Sequence, residues 1–251
     1  MTNSHGVPAR SHHLSVVMPV YNEGPSIHAA LQAVCRVRLA PGMQREIIIV
    51  DDGSRDTTCH EIQRLLGEHP DWKDWVQLLR CPSNRGKGSA LREGFKRATG
   101  EWILIQDGDL EYTPDDYPAL LAPFSDSRIA AVYGSRFLEG RPSGMRLRSL
   151  VANRLLSWIT QVLYGSKLTD EATGYKVFRR EVLQGIPLER RRFEFCPEVT
   201  AKLLRSGHRI VEVPVRYRAR SVREGKKIRM QDGFIALGCL FKFRNWKPES
   251  A

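Results

Sequence analysis

Trp102-Ile103-Leu104-Ile105-Gln106-Asp107-Gly108-Asp109-Leu110-Glu111 sets four apolar residues almost directly before three carboxylates at alternate positions. A short apolar run bounded by polar residues reads as a strand buried on both faces, the kind found in a parallel sheet. Acids that repel one another sit poorly at the end of such a strand unless something relieves the repulsion. For an isolated Asp-x-Asp the commoner answer is a solvated strand end. The sharper answer is a divalent cation, because hard cations take oxygen ligands and neutralise such clusters.

The segments before this stretch follow the same pattern. Residues 14–20 (LSVVMPV) form a β-branched run, followed by a helical signal over 25–37 with Ser26 as cap and Ile27, Leu31 and Val34 on one face. Residues 46–50 (EIIIV) are a second buried strand ending in Asp51-Asp52-Gly53-Ser54. A helix over 57–66, a strand over 76–80, a glycine-rich turn at 84–89 and a helix through 90–99 lead into the strand at 102–106. Alternation of this kind predicts an α/β fold with a Rossmann-like, mostly parallel central sheet and helices on both faces. Ligands of such sheets sit beyond the carboxyl ends of the strands, where the acidic and glycine-rich segments fall.

The second half is less regular. A short strand is expected at 130–133, before Gly134-Ser135-Arg136, and a helix over 148–164 with Val151, Leu155, Ile159 and Val162 along one face. A strand over 209–215 carries Pro214, which marks an edge or a strand end. The simplest division is a mobile tail at 1–13, one catalytic domain over 14–230, and an amphipathic helix over 231–251 packed on the domain or lying at a membrane surface.

With 251 residues, 41% hydrophobic and 27% charged, the chain has the composition of a soluble globular protein large enough for a sizeable core. No apolar stretch reaches the roughly 18 residues that cross a bilayer, and the first thirteen residues lack the apolar core of a secretory signal. The five cysteines (Cys35, Cys59, Cys81, Cys196, Cys239) are scattered without a Cys-x-x-Cys pair, which speaks against a disulfide framework or a zinc site and for a reducing cytosol. Charge divides the chain. Residues 1–125 hold 13 basic and 16 acidic side chains, whereas residues 126–251 hold 26 and 12, so the second half suits a polyanion, an anionic lipid surface or a phosphorylated ligand.

Four strand-end loops therefore carry the chemistry: Tyr21-Asn22-Glu23, Asp51-Asp52-Gly53-Ser54, Asn84-Arg85-Gly86-Lys87-Gly88 and Asp107-Gly108-Asp109. Together they offer carboxylates for ribose hydroxyls or a metal, amides for a base, and a glycine turn whose open backbone and Lys87 can approach phosphate. That inventory fits a nucleoside diphosphate. Neither a Walker loop nor a Gly-x-Gly-x-x-Gly helix start is present.

The set LSVVMPVYNE, EIIIVDDGSRDTT, NRGKGSALREGFKRATGEWILIQDGDLEY, GSRF and LTDEATGYKVFRREVL, in this order, resembles the family-two inverting glycosyltransferases. Within them it is similar to the dolichyl- or polyprenyl-phosphate mannose and glucose synthase branch. The resemblance extends over about residues 14–246. It implies a GT-A fold, a nucleoside-diphosphate sugar donor of the GDP-mannose or UDP-glucose type, Mg²⁺ or Mn²⁺, and a lipid phosphate acceptor at the cytosolic membrane face. By position it implies that Pro19, Tyr21 and Glu23 line the base pocket and that Asp52 lies beside base or ribose. Asp107 and Asp109 would reach the donor diphosphate through the metal, with Glu111 where the mannose synthases often carry Gln. Arg136 would hold the acceptor phosphate, assisted by Arg146 or Arg148. The loop from Arg220 to Lys227, including Lys226, would close over donor phosphates, and Asp170 would border the sugar or cap its own turn. Relatives often add transmembrane helices after the catalytic domain; here residues 232–246 offer only an amphipathic segment with Phe234, Leu237, Phe241 and Trp246 among cations.

Two other functions remain open at this level. A hydroxyl acceptor in place of lipid phosphate demands a general base, and Asp170 is the first candidate. A basic nucleic-acid-binding module would use the positive half, but it leaves the acidic strand ends unexplained and lacks a zinc finger or RNA-binding aromatic motif.

Overall fold

The computed structural model describes residues 12–142, 144–220 and 230–248. Strands β1 (His13–Val20), β2 (Gln44–Asp51), β3 (Val76–Arg80) and β4 (Trp102–Ile105) run parallel, with Val16 level with Ile47 on one side and Leu104 on the other. Successive side chains of a strand point to opposite faces. Val16 and Met18 accordingly pack with Ile27 and Leu31 of α1 (Gly24–Arg36) and Ile62 of α2 (Thr58–Glu68). Val17 packs on the other face with Leu91 and Phe95 of α3 (Lys87–Arg97). With both faces covered, β1, β2 and β4 carry the buried apolar runs 16–20, 47–50 and 102–105, which is why these strands were legible.

The sheet continues through β5 (Ile129–Ser135), β6 (Lys176–Arg179) and β7 (Arg209–Pro214) in the order β3-β2-β1-β4-β6-β5-β7. Among the described strands only β6 runs against its neighbours. It therefore begins at the edge where the parallel strands end, and the segment before it joins the same rim. The helices of this half are α4 (Tyr117–Leu121), α5 (Leu147–Tyr164), α6 (Arg180–Gly185), α7 (Phe195–Arg205) and α8 (Met230–Phe243). Leu156 of α5, Ala201 of α7, and Ala236, Cys239, Leu240 and Phe243 of α8 form a separate apolar cluster.

The α/β expectation holds, as do strand signals for β1–β5 and β7. β6 was not anticipated: its four residues include Lys176, fully buried, whose ammonium donates to the carbonyls of Glu171 and Thr173 and lies 4.0 Å from the Tyr133 ring centroid. α7 was missed for a related reason, since the buried pair Glu198–Lys202, 2.7 Å apart, interrupts its apolar periodicity. The stripe read along α5 points outward. Val151, Leu155 and Val162 are exposed, and the buried positions are Leu156, Ser157 and Thr160.

Candidate active site

Loops following β1, β2, β4, β5 and β7 and the loop preceding β6 meet along one rim of the sheet. After β4 the chain turns sharply at Leu110, whose φ of +53° is a left-handed conformation unusual for leucine. Leu110 packs against the main core, while Asp109 and Glu111 on either side of it both reach Arg220. The Arg220 guanidinium lies 3.1 Å from Glu23 and 3.5 Å from Glu111, and it bonds directly to Asp109. Glu111 also accepts the backbone N–H of Arg220 at 3.0 Å and the hydroxyl of Tyr217 at 3.0 Å. Burial, followed by the charges of Asp107 and Glu111, pushes the Asp109 carboxyl up to about 7 against the opposing pull of Arg220.

Asp107 has its own cation, Lys87, at 2.6 Å. Burial disfavours the charge on Lys87, but Asp107 outweighs that effect and holds the ammonium above its ordinary range. Gly174 lies close against this pair: a Cβ there would fall 2.7 Å from an Asp107 oxygen and 3.6 Å from the Lys87 nitrogen, so the carboxylate would have to shift to admit it. On the other side, the Ser26 hydroxyl lies 3.0 Å from both a Glu23 carboxylate oxygen and the Gly108 carbonyl and has one proton to give to either.

Lys87 is the first residue of α3, and the turn before it is held from below by Asp52. The two Asp52 oxygens accept the backbone N–H groups of Arg85 at 2.9 Å and Gly86 at 2.6 Å. Gly86 has φ +99°, and a Cβ would fall 2.5 Å from the Arg191 carbonyl oxygen, so this turn admits only glycine. Beside it lies a cleft of about 420 Å³ lined by Tyr21, Gly53, Ser54, Arg80 and Asn84, among others. The loop bearing Asn22 is tied to this wall: its N–H donates to Ser54, and its side-chain carbonyl accepts the N–H of Arg55.

Across the rim, Asp170 is fully buried and accepts three bonds from Arg136, from the backbone N–H at 3.0 Å, Nε at 2.6 Å and Nη2 at 2.7 Å. Burial opposes the Arg136 charge, but Asp170 more than compensates and holds the guanidinium well above its ordinary value. Glu212 on β7 fixes the loop by accepting the N–H groups of Thr169 and Asp170 and the Thr169 hydroxyl. Tyr217 links the two sides, since its ring lies 5.1 Å from the Arg136 guanidinium and its hydroxyl donates to Glu111.

Set beside the sequence expectations, the rim gathers Tyr21, Glu23, Asp52, Lys87, Asp107, Asp109, Glu111, Arg136, Asp170 and Arg220. Their partners differ from those anticipated. Glu23 faces Arg220 and the acidic turn, not the cleft. Asp52 holds the turn before Lys87. Pro19 is buried within β1, level with Val50. Arg148 is exposed at the start of α5, and Arg154 is the α5 residue that reaches the Arg136 neighbourhood, 4.6 Å from the Phe137 ring against which Arg136 also lies. Lys226 and the rest of the 221–227 loop fall outside the described residues. Glu212, Tyr217 and Gly174 went unrecognised because no spacing signals a carboxylate or tyrosine that acts by holding another loop.

Among the described residues no three metal-binding side chains are already gathered as a cage. The donor chemistry nevertheless fits a hard divalent ion. Asp107, Asp109 and Glu111 present only carboxylate oxygens, and this crowded acidic pocket is stabilised by cations.

The glycosyl transferase family 2 model matches residues 15–186. The dolichol-phosphate mannosyltransferase of Pyrococcus furiosus is 27% identical over 94% of this chain and 65% of its own length. The dodecaprenyl-phosphate galacturonate synthase of Rhizobium johnstonii is 30% identical over 85% of this chain and 61% of its own. The chain thus spans less than two thirds of the length of these curated relatives. A crystal structure of glucosyl-3-phosphoglycerate synthase from Mycobacterium tuberculosis, in complex with Mn²⁺, UDP and phosphoglyceric acid, superposes with a TM-score of 0.69. It is 22% identical, with 95% of this chain and 80% of that one covered, a likeness of fold.

Proposed function

The chain belongs to glycosyl transferase family 2, and on that footing we propose that it transfers a hexose, with inversion, from a nucleoside-diphosphate sugar to a polyprenyl phosphate. The observation that carries the reading is the pairing of two charge clusters on one sheet rim: an acidic turn balanced by Lys87 and Arg220, and the buried Arg136–Asp170 pair opposite. The names of the curated relatives support the lipid phosphate acceptor.

On the donor side, the cleft beside Tyr21 and Asn84 takes the base. Lys87, at the N-terminus of α3 where helix N–H groups favour anions, takes the phosphates. Asp107 and Asp109, with Glu111 beside them, would hold Mg²⁺ or Mn²⁺, which when bound supplies Lewis-acid charge to the leaving diphosphate. On the acceptor side, a phosphate monoester has its second pKa at about 6 and is largely dianionic at neutral pH. The attacking oxygen therefore needs positioning and no base. An alcohol acceptor would need a base, and Asp170 is poorly placed for that task because its carboxylate already accepts three N–H bonds from Arg136.

The same reading extends to the cytosolic face of a membrane. No helix among the described residues is long and apolar enough to cross a bilayer. Yet α5 exposes Leu147, Val151, Leu155, Trp158 and Val162 as one stripe at helical spacing, and the adjoining α8 exposes Phe234, Ile235 and Phe241. An apolar face among cations such as Arg148, Arg154 and Lys242 suits an anionic interface, where each cation adds about 1 kcal/mol. In this reading the catalytic unit spans 14–230 and the following helix helps to seat it.

The test is a transfer assay on purified chain with GDP-mannose and UDP-glucose, Mg²⁺ or Mn²⁺, and polyprenyl phosphate in vesicles. Lipid-linked sugar is expected from one donor. Equal turnover on a free sugar hydroxyl with no lipid phosphate present would transfer the assignment to a hydroxyl acceptor.

A further inference from the structure

Arg220 occupies the place that an incoming cation would have to enter. Its guanidinium meets Glu23 and Glu111 and bonds to Asp109, so carboxylates from the loops after β1 and β4 already share a counter-ion supplied by the chain. A divalent ion seeking Asp109 must displace this group. A displaced guanidinium in a largely buried pocket is costly unless another anion receives it. The diphosphate of a donor is such an anion, and arginine binds phosphate oxygens bidentately.

The backbone favours a side-chain movement over a rearranged loop. The Arg220 N–H is anchored on Glu111, Tyr217 is anchored on the same carboxylate, and the Arg218 N–H donates to the Glu111 carbonyl. The main chain can stay docked while the guanidinium swings. Lys87 differs, because it is aimed at Asp107 from the helix start that faces the phosphates and can keep that partner.

We propose that Arg220 is an internal cation that holds the carboxylate pocket until a nucleoside diphosphate takes it, so that the divalent ion enters with the donor and not before it. This rests on the reading of the rim as a donor-diphosphate site and adds the order in which it fills. Specificity follows: nucleoside monophosphates, which offer fewer oxygens to the guanidinium, should promote ion binding less than diphosphates.

The experiment titrates the full chain with Mn²⁺, following the electron paramagnetic resonance signal of the free ion, alone and with GDP, UDP or the corresponding monophosphates. Wild type should bind Mn²⁺ about tenfold more tightly with a diphosphate than without, within the usual range of coupling between two sites. Arg220→Met should bind the ion alone about tenfold more tightly than wild type and lose most of the nucleotide effect. Arg220→Lys should fall between, and Arg220→Gln serves as a second neutral variant, each checked for native circular dichroism. If the folded neutral variants bind Mn²⁺ alone no better than wild type, while nucleotide still promotes ion binding to wild type, the proposal is overturned and the donor-site reading stands. If neither nucleotide changes Mn²⁺ binding to wild type, both fall.

Discussion

Arg136 and Arg220 both meet carboxylates on the same rim, yet Arg136 gives its fork to one aspartate and Arg220 spreads its own over Glu23, Asp109 and Glu111. The first pair is sealed, with side-chain exposures of 7% and 0%, and its carboxylate is filled by three N–H donors from one arginine. The second is more accessible, and burial and like charges disfavour ionisation of Asp109. A sealed bidentate pair resists exchange, because parting it leaves an uncompensated charge inside the protein. A shared arginine on crowded acids can leave when a better anion arrives. The Arg136–Asp170 pair is therefore permanent scaffold, and the Arg220 cluster is exchangeable.

Removing one partner from each cluster breaks this contrast most directly. Asp170→Ala should destabilise the fold by about 3–5 kcal/mol, since it strands a buried guanidinium; urea unfolding reads this, and a loss below about 1 kcal/mol would mean that the pair is not sealed. Asp109→Ala should lower transfer by about two orders of magnitude or more, with a melting temperature equal to or above that of wild type because a crowded acid is gone. A melting temperature well below wild type would reveal a structural role. Glu212→Gln sharpens the comparison. The amide turns one acceptor into a donor facing N–H groups, an expected cost of about 1–3 kcal/mol, with the Michaelis constant for acceptor raised and that for donor nearly unchanged. The smallest effect on stability belongs to the outer face of α5: Trp158→Glu should alter stability by no more than about 0.5 kcal/mol yet weaken binding to anionic vesicles, measured by co-sedimentation. Undiminished vesicle binding would remove that helix from the interface.

The first half of the fold was legible because strands buried on both faces are mostly apolar, and in 14–20, 46–50 and 102–106 the only polar residues are Ser15, Glu46 and Gln106. The second half hides its elements behind buried charges. Lys176 lies inside β6, Glu198 and Lys202 inside α7, each satisfied by partners that no local pattern discloses. α5 misleads in the opposite sense, presenting its clearest apolar stripe to the outside. In the site, residue types and their convergence were readable, since strand ends bring them to one rim. Their pairing was not. That Asp52 supports the turn before Lys87, that Glu23 turns to Arg220, and that Glu212 holds Asp170 in place depend on contacts between loops 33 to 197 residues apart in sequence.

In the proposed function, the acids ending β4 grip a divalent ion against a donor diphosphate. The most direct measurement is an anomalous-scattering map from crystals grown with Mn²⁺ and the nucleoside diphosphate that stabilises the protein most. The expected result is a manganese peak within coordination distance of Asp109 and of a phosphate oxygen, with the Arg220 guanidinium moved from Asp109 onto phosphate. A bound diphosphate with no ion beside Asp107 or Asp109, and Arg220 still on Asp109, would contradict it.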